Sequence, residues 1–233
     1  MVRTKSSAVL DRILDAASVT LLERGYRGTR MTDVAGRAEV SAGTIYLYAE
    51  TKEALFELTL RRAFGDSLPE PSGLPFSGSG AELVEFVWQR LKAASPFPVL
   101  RAAAARATPE GDGVRELEAV LREVWAWQSG HWEAIELIEK CARDWPELHA
   151  LFYADFRQGL LELGTGLLER RMSDGHLRRL PDAAVALRVI AESIAFFAMH
   201  RHIRPYSAGL DEETCRETVI AVLTAGFAPE AGR

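Results

Sequence analysis

The chain has 233 residues, 48% hydrophobic, 26% charged and 9% aromatic, with a formal net charge of -5 and two cysteines. These figures describe an ordinary globular protein of one or two domains with enough chain to bury a full core. They exclude collagenous, disordered and disulfide-stapled classes. The longest unbroken apolar run is about six residues, Ile194 to Met199, against the roughly 18 that span a bilayer, so no membrane helix is expected. The basic first residues are followed by polar and charged ones rather than by the apolar stretch of a signal peptide, which predicts a cytoplasmic protein with no membrane partner. Cys141 and Cys215 belong to no pairing or metal motif and read as reduced thiols.

Helical periodicity runs through the whole chain, and no segment alternates as a strand. The expected helices cover residues 7–25, 31–38, 42–48, 52–65, 81–95, 97–108, 113–143, 147–173, 182–204 and 212–226. The first shows Leu10, Ile13, Leu14, Ala17 and Leu21 at spacings of three and four, and Gly25 is placed to close it in the left-handed conformation. Gly175 does the same after Met172, and Pro146 suits a first helical turn. Between residues 67 and 80 three prolines and three glycines, Pro69, Pro71, Pro75, Gly73, Gly78 and Gly80, predict a flexible connector.

Charge is unevenly spread. Residues 1–62 hold ten Lys/Arg and eight Asp/Glu, a net of +2, which leaves -7 for the rest. A mildly basic head can attract a polyanion, because local potential steers encounter.

Within that head, residues 31–49 contain a short helix, the break Glu39-Val40-Ser41, and a second short helix beginning at Ala42. Helices this short need bracing by longer neighbours, as in a helix-turn-helix. Ser41 is placed as the N-cap of the second helix. At 100° per residue Ile45, Ala42 and Ala49 share one small apolar face. Gly43, Thr44, Tyr46 and Leu47 point outward, with Tyr48 on the flank and Lys52 just beyond. Small residues, hydroxyls and one leucine on an outward face suit the major groove.

The run Arg12-Ile-Leu-Asp-Ala-Ala17, then Leu22-Glu-Arg-Gly25-Tyr26, Thr29, Asp33-Val34-Ala35, Val40-Ser41-Ala-Gly43-Thr44-Ile45-Tyr46-Leu-Tyr48 and Lys52-Glu53-Ala-Leu55 resembles the DNA-binding head of the TetR family of transcriptional regulators. The resemblance implies an all-α fold: a three-helix helix-turn-helix domain at 1–50, a connecting helix at 51–66, the linker at 67–80, and a helical effector-binding and dimerisation bundle at 81–233. It implies DNA contacts from Thr29, Arg30 and Thr32, phosphate contacts from Thr44, Tyr46 and Tyr48, and base-facing Gly43 and Leu47. Ser41 and Ala42 open the reading helix, and Lys52 adds a phosphate contact from its charge and its helix end. Two positions depart from the family pattern. Glu39 stands where Gly is usual, so a non-Gly residue takes positive φ, and Ala49 replaces the usual Phe, removing a core aromatic.

Residues 81–233 are rich in large aromatics. Leu121, Trp125, Gln128, Trp132 and Ile135 lie on one stripe of the expected 113–143 helix, and such a stripe is either core or the wall of a pocket. The resemblance implies a cavity for a small apolar or aromatic effector, with Phe86, Trp88, Phe97, Leu121, Trp125, Gln128, Trp132, Phe152 and Phe156 as its candidate lining. The 182–204 helix is apolar nearly all round, and its predecessor carries Gly159, Gly164 and Gly166. Gly159, Leu163, Gly166, Leu167, Leu187, Ile190, Ile194 and Phe197 are therefore the candidate interface of a four-helix homodimer, with 212–226 as the alternative contributor.

Enzyme motifs fail. The chain has no His-Glu-x-x-His, no cysteine pair at metal spacing and no Gly-x-Ser-x-Gly; Gly164-Thr-Gly166 lacks a third glycine, and His200 and His202 lie about 200° apart on a helix. No cofactor is expected. The sequence predicts a dimeric regulator, most simply a repressor, that binds a near-palindromic double-stranded operator and is released by an effector. The alternative is a regulator of the same fold controlled by a protein partner.

Overall fold

The computed structural model describes residues 6–93, 97–203 and 209–229. Its helices are α1 (Ser7–Gly28), α2 (Met31–Arg37), α3 (Ala42–Ile45), α4 (Lys52–Ala63), α5 (Gly80–Trp88), α6 (Pro98–Ala105), α7 (Gly113–Gly130), α8 (Trp132–Ala142), α9 (Pro146–His149), α10 (Gln158–Ser173), α11 (Ala183–Ala198) and α12 (Glu212–Phe227). Wider π turns extend α5 over Gln89–Ala93 and lead into α10 over Ala150–Arg157. Among the described residues there is no β-strand, only an isolated bridge between Ala49 and Phe76. The ends of the expected 81–95 and 182–204 helices, and the break that follows the latter, fall partly outside the described residues.

The chain divides into two compact units, residues 1–94 with 133–155 and residues 95–132 with 156–233. That division differs from a boundary at residue 81, because α5 and the 133–155 segment join the head. In the first unit the amphipathic stripe of α1 is buried as its spacing demands, with Leu10, Ile13, Leu14, Ala17 and Leu21 inside. Each of the leucines and Ile13 contributes about 1.5–3 kcal/mol of transfer free energy. Gly25 takes φ 73 and kinks α1, and the helix resumes to Gly28 instead of ending there. A Cβ at Gly25 would lie 2.8 Å from Asp144 Oδ2, so glycine serves the approach of the 133–155 segment as well as the kink. That segment is tied to α1 by Ser18 Oγ donating to Glu133 and by the Arg27 N–H donating to Asp144 at 3.1 Å. Helix α4 is buried from Ala54 to Leu60. The 67–80 segment is built into the head, correcting the expectation of a flexible connector: Leu74 is buried, and Leu68 and Phe76 pack on the head core.

In the second unit Phe97, Leu100, Ala103, Val120 and Leu167 form a core cluster, with Trp127, Phe156 and Leu163 against it. Arg171 is 1% exposed and pairs with the buried Glu116 at 2.7 Å, while its remaining donors reach the carbonyls of Ala103, Arg106 and Ala107 at the end of α6. This pair knots α6, α7 and α10. Gly164 is explained by close approach, since a Cβ there would lie 2.9 Å from Leu187 Cδ2, whereas Gly159 faces open space. The expected 113–143 helix breaks at His131 (φ -127, ψ 20), so the aromatic stripe does not run on from Gln128 to Trp132 and Ile135.

One expectation about apolar length is corrected. The stretch Ala183–His202 is long and apolar enough, by length and composition, to cross a membrane, with mean hydropathy 1.5. Counting unbroken runs missed it because Arg188 and Glu192, which pair with each other at 3.2 Å, interrupt the apolar residues. Its inner face, Ala186, Ile190, Ile194 and Ala198, is buried within the second unit.

Candidate nucleic-acid interface

Helix α2 starts at Asp33's carboxylate, which accepts from the Arg30 N–H at 3.1 Å and pairs with Arg24 of α1 at 3.0 Å. Val34 and Ala35 point into the core and fix the helix against α1. The turn to α3 needs one left-handed residue, and Glu39 supplies it at φ 55, as its place in the turn requires. Ser41 then caps α3 by accepting from the Thr44 N–H at 3.2 Å, and the Ser41 and Thr44 hydroxyls lie 2.8 Å apart. Ile45, wholly buried, is the anchor. Helix α3 is a single turn ending at Ile45, shorter than the expected 42–48.

What remains outside is a contiguous set. Arg30, Thr32, Ser41, Ala42, Gly43 and Tyr46 are exposed, with Thr44 half-buried. Ala42 is therefore turned outward instead of sharing the face of Ile45. Gly43 has negative φ and nothing within 4 Å of where a Cβ would sit, so neither strain nor internal packing asks for glycine there. Tyr46 is 51% exposed, the one aromatic among the exposed large hydrophobic side chains of the described residues. A surface of hydroxyls, small residues, one guanidinium and one phenol over a rigid core can meet phosphates and base edges at close range.

Four expected contacts are placed elsewhere. Thr29 is 2% exposed, and its hydroxyl donates to the carbonyls of Gly25 and Thr20 at 2.7 and 3.3 Å. Its work is to close the kinked end of α1. Tyr48 is 3% exposed, with its ring in the head core and its hydroxyl exchanging hydrogen bonds with the backbone N–H and carbonyl of Ser6. Because α3 stops at Ile45, residue 48 does not continue the helix face on which it was placed. Leu47 is half-buried against the same core. Lys52 points back to α1: Nζ donates to the carbonyls of Tyr26 and Thr29 at 2.8 and 3.1 Å and sits 4.1 Å from the Tyr26 ring centre. A cation on the last carbonyls of a helix is favourable there. Tyr26 in turn donates to Glu53 at 2.6 Å, and burial, reinforced by that carboxylate, pushes its phenol well above the ordinary range. Nearby, burial and then Asp144 push the Cys141 thiol up to about 12, which leaves it an inert apolar group.

The candidate effector residues divide between the units. Phe86, Trp88 and Phe152 belong to the first, where Arg61 lies 4.6 Å over Phe86, Lys92 lies 3.8 Å over Trp88, and Phe152 is buried edge-on to Tyr153. Phe97, Leu121, Trp125, Gln128, Trp132 and Phe156 belong to the second. There Trp127 links Phe97 and Phe156 at 5.1 and 5.7 Å, and Trp132 stacks on His202 at 4.7 Å. Trp125 is 1% exposed, yet its Nε1 donor has no acceptor, and one turn on the buried Gln128 Oε1 has no donor. Among the candidate interface residues Leu167, Ile190 and Ile194 are buried inside the protomer, which removes them from a dimer contact. The apolar residues that α11 and α12 leave outside are Val185, Val189 and Val222, at 63%, 57% and 66% exposure. The spacing of Val185 and Val189 on one helix face was the signal available for them. Among the described residues no group of three or more His, Cys, Asp or Glu could hold a metal ion.

Residues 13–59, from α1 through most of α4, match the family model of bacterial regulatory proteins of the tetR family. No curated protein matches the chain by sequence. Among solved structures the chain is similar to the ketosteroid transcriptional regulator KstR2 of Mycobacterium tuberculosis, at 15% identity and TM-score 0.57 over 99% of this chain and 100% of that one. It is similar also to the probable transcriptional regulatory protein RHA5900, at 18% identity and TM-score 0.57 over 96% and 100% of the two chains. A tetR-family regulatory protein from Rhodococcus RHA1 aligns at 14% identity and TM-score 0.53 over 97% and 100%. The head, over residues 13–59, thus matches the DNA-binding domain of the TetR family of transcriptional regulators, and the full-length likeness to solved regulators shows a common all-α fold.

Proposed function

We propose that the protein is a ligand-responsive repressor that grips a near-palindromic operator as a dimer and releases it when a small apolar or aromatic effector enters the second unit. The observation that carries the DNA half is the exposed row Arg30, Thr32, Ser41 to Gly43 and Tyr46, with half-buried Thr44 among them, raised on a core that has no internal use for Gly43. The effector half rests on the orphaned pair Trp125 Nε1 and Gln128 Oε1, because a buried donor and acceptor left without partners cost about 1–3 kcal/mol each until something bonds them. An apolar molecule with a hydroxyl group, which both accepts and donates, suits the polar pair as well as the surrounding aromatics. The dimer face is the outer side of α11 and α12, where Val185, Val189 and Val222 stand among Ala184, Ala221 and Ala225. This revises the interface expected from the sequence toward its alternative, the last helix.

Two heads on a twofold axis read half-sites about one helical turn or a multiple apart. A coupling of about 2–3 kcal/mol between effector and DNA lowers operator affinity some 30- to 150-fold. The test begins with a duplex selected by the protein from a randomised pool. It continues with tryptophan quenching and anisotropy against apolar and aromatic compounds with and without a hydroxyl group. A saturable compound that releases the duplex, and whose binding Trp125→Phe weakens, supports the proposal. A negative panel with DNA binding intact transfers control to a protein partner.

A further inference from the structure

The recognition helix is one turn long and cannot stand alone, so what holds its far end decides how firmly it presents Thr44 and Tyr46. Ser41 holds the near end. At the far end the chain turns through Tyr46 to Tyr48 and arrives at Ala49, which is wholly buried and small. Across from Ala49 lies Phe76. The Phe76 N–H donates to the Tyr48 carbonyl at 2.8 Å, and the Glu50 N–H donates to the Phe76 carbonyl at 3.0 Å. Two residues further on, the Thr51 hydroxyl donates to the Gly78 carbonyl at 3.0 Å. Three hydrogen bonds thus fasten residues 76–78 to the exit of the recognition helix, while the Phe76 side chain packs against the core that contains Ala49.

The strap has little freedom. Leu74 is 7% exposed, and a Cβ at Gly78 would lie 3.4 Å from Glu57 Oε2 and 3.6 Å from the Ala54 backbone of α4. Arg61 of α4 stands over the other side of the Phe76 ring at 5.6 Å. Immediately beyond, Ser79 caps α5: its N–H donates to Glu82 at 2.7 Å and its hydroxyl accepts from the Glu82 N–H at 3.3 Å. The interval from recognition-helix exit to α5 is only a few fastened residues.

We propose that Phe76 is a positioning residue for DNA reading: it supplies from the 67–80 strap the aromatic bulk that Ala49 lacks and seats the exit of the recognition helix. The pairing of a small buried residue with a large one directly opposite, inside a bridge bonded in both directions, carries the proposal.

The test uses the full chain and two duplexes, one selected by the wild-type protein from a randomised pool and one of random sequence. Phe76→Ala is expected to weaken the selected duplex about tenfold while the random duplex changes less than about twofold, because loosened seating costs readout more than charge attraction. Phe76→Leu is expected to recover most of the loss. The exchange Ala49→Phe with Phe76→Ala puts the ring on the other side of the bridge, and is expected to bind the selected duplex better than either single variant. Amide hydrogen exchange at Glu50 is expected to quicken in Phe76→Ala and to slow again in the exchange variant. Equal weakening on both duplexes with a matching fall in thermal stability makes Phe76 plain core and overturns the proposal. An exchange variant no better than its parents, or unchanged discrimination in all variants, does the same.

Discussion

Replacing Lys52 by Met separates two roles for this residue. If Lys52 grips a phosphate, its loss removes about one unit from the salt dependence of DNA binding and leaves stability alone. The structure gives it an internal role, with two hydrogen bonds to the last carbonyls of α1 at 2.8 and 3.1 Å and a place over the Tyr26 ring at 4.1 Å. A hydrogen bond from a charged donor contributes about 1.5–3 kcal/mol net, and a cation over a ring about 0.5–1 kcal/mol. Both carbonyls recover some water when the ammonium leaves, and Met keeps the apolar stem, so the expected loss is about 2 kcal/mol rather than the sum. That corresponds to a fall of about 4–8 °C in a chain of this size. Urea denaturation followed by circular dichroism measures the stability, and anisotropy across a salt series measures the slope. Unchanged stability together with a slope reduced by about one would refute the capping assignment and restore the phosphate contact.

Glu39→Gly relieves a left-handed non-glycine residue and is expected to stabilise the protein by about 1 kcal/mol in the same denaturation experiment. Arg171→Met leaves the buried Glu116 carboxylate only the longer pair with Arg106 at 3.8 Å and is expected to cost about 3 kcal/mol, most of it regained in the double variant with Glu116→Leu, as thermal melting of both variants will show. Glu217 accepts from Arg122 and then Arg216, which hold its carboxyl at about 2, against an ordinary value near 4.5. Its pKa is depressed on folding, so its stabilising contribution is complete above the ordinary value and is lost as pH falls from there through about 2. Carbonyl NMR titration is expected to place its midpoint near 2 in the wild type, rising toward the ordinary range in Arg122→Gln.

The head was legible where local chemistry decides the outcome. The spacing of Leu10, Ile13, Leu14, Ala17 and Leu21 produced the buried face of α1, Ser41 became a cap, and Glu39 took positive φ because the turn between two short helices leaves no other geometry. Side chains beyond the last helical turn were misplaced for one reason. A helical wheel presupposes that the helix continues, and α3 stops at Ile45, so Tyr48 follows the turn into the core beside Ala49, which was expected there. Lys52 and Thr29 were misread because their partners are backbone carbonyls at the end of α1, which no side-chain pattern reveals. Prolines in the 67–80 segment read as freedom, yet Leu74 and Phe76, on either side of Pro75, pack on the head core, and Phe76 is hydrogen-bonded to the head. The long aromatic stripe failed at His131, directly after Gly130, a helix-ending signal that apolar periodicity continuing on both sides had masked. In the second unit, periodicity located helices but could not say which apolar face is covered by the protein itself. Ile190 and Ile194 are inside, and Val185 and Val189 are left out.

The central claim is that DNA is read by the exposed surface of the second and third helices, and Tyr46 tests it most directly, because at 51% exposure its removal touches no core. Fluorescence anisotropy of wild type and Tyr46→Ala on a duplex selected from a randomised pool is the measurement. The account predicts at least about a tenfold loss of affinity, with thermal stability within about 0.5 kcal/mol of wild type. Equal affinity of the two proteins for the selected duplex would contradict it and move the reading surface away from the third helix.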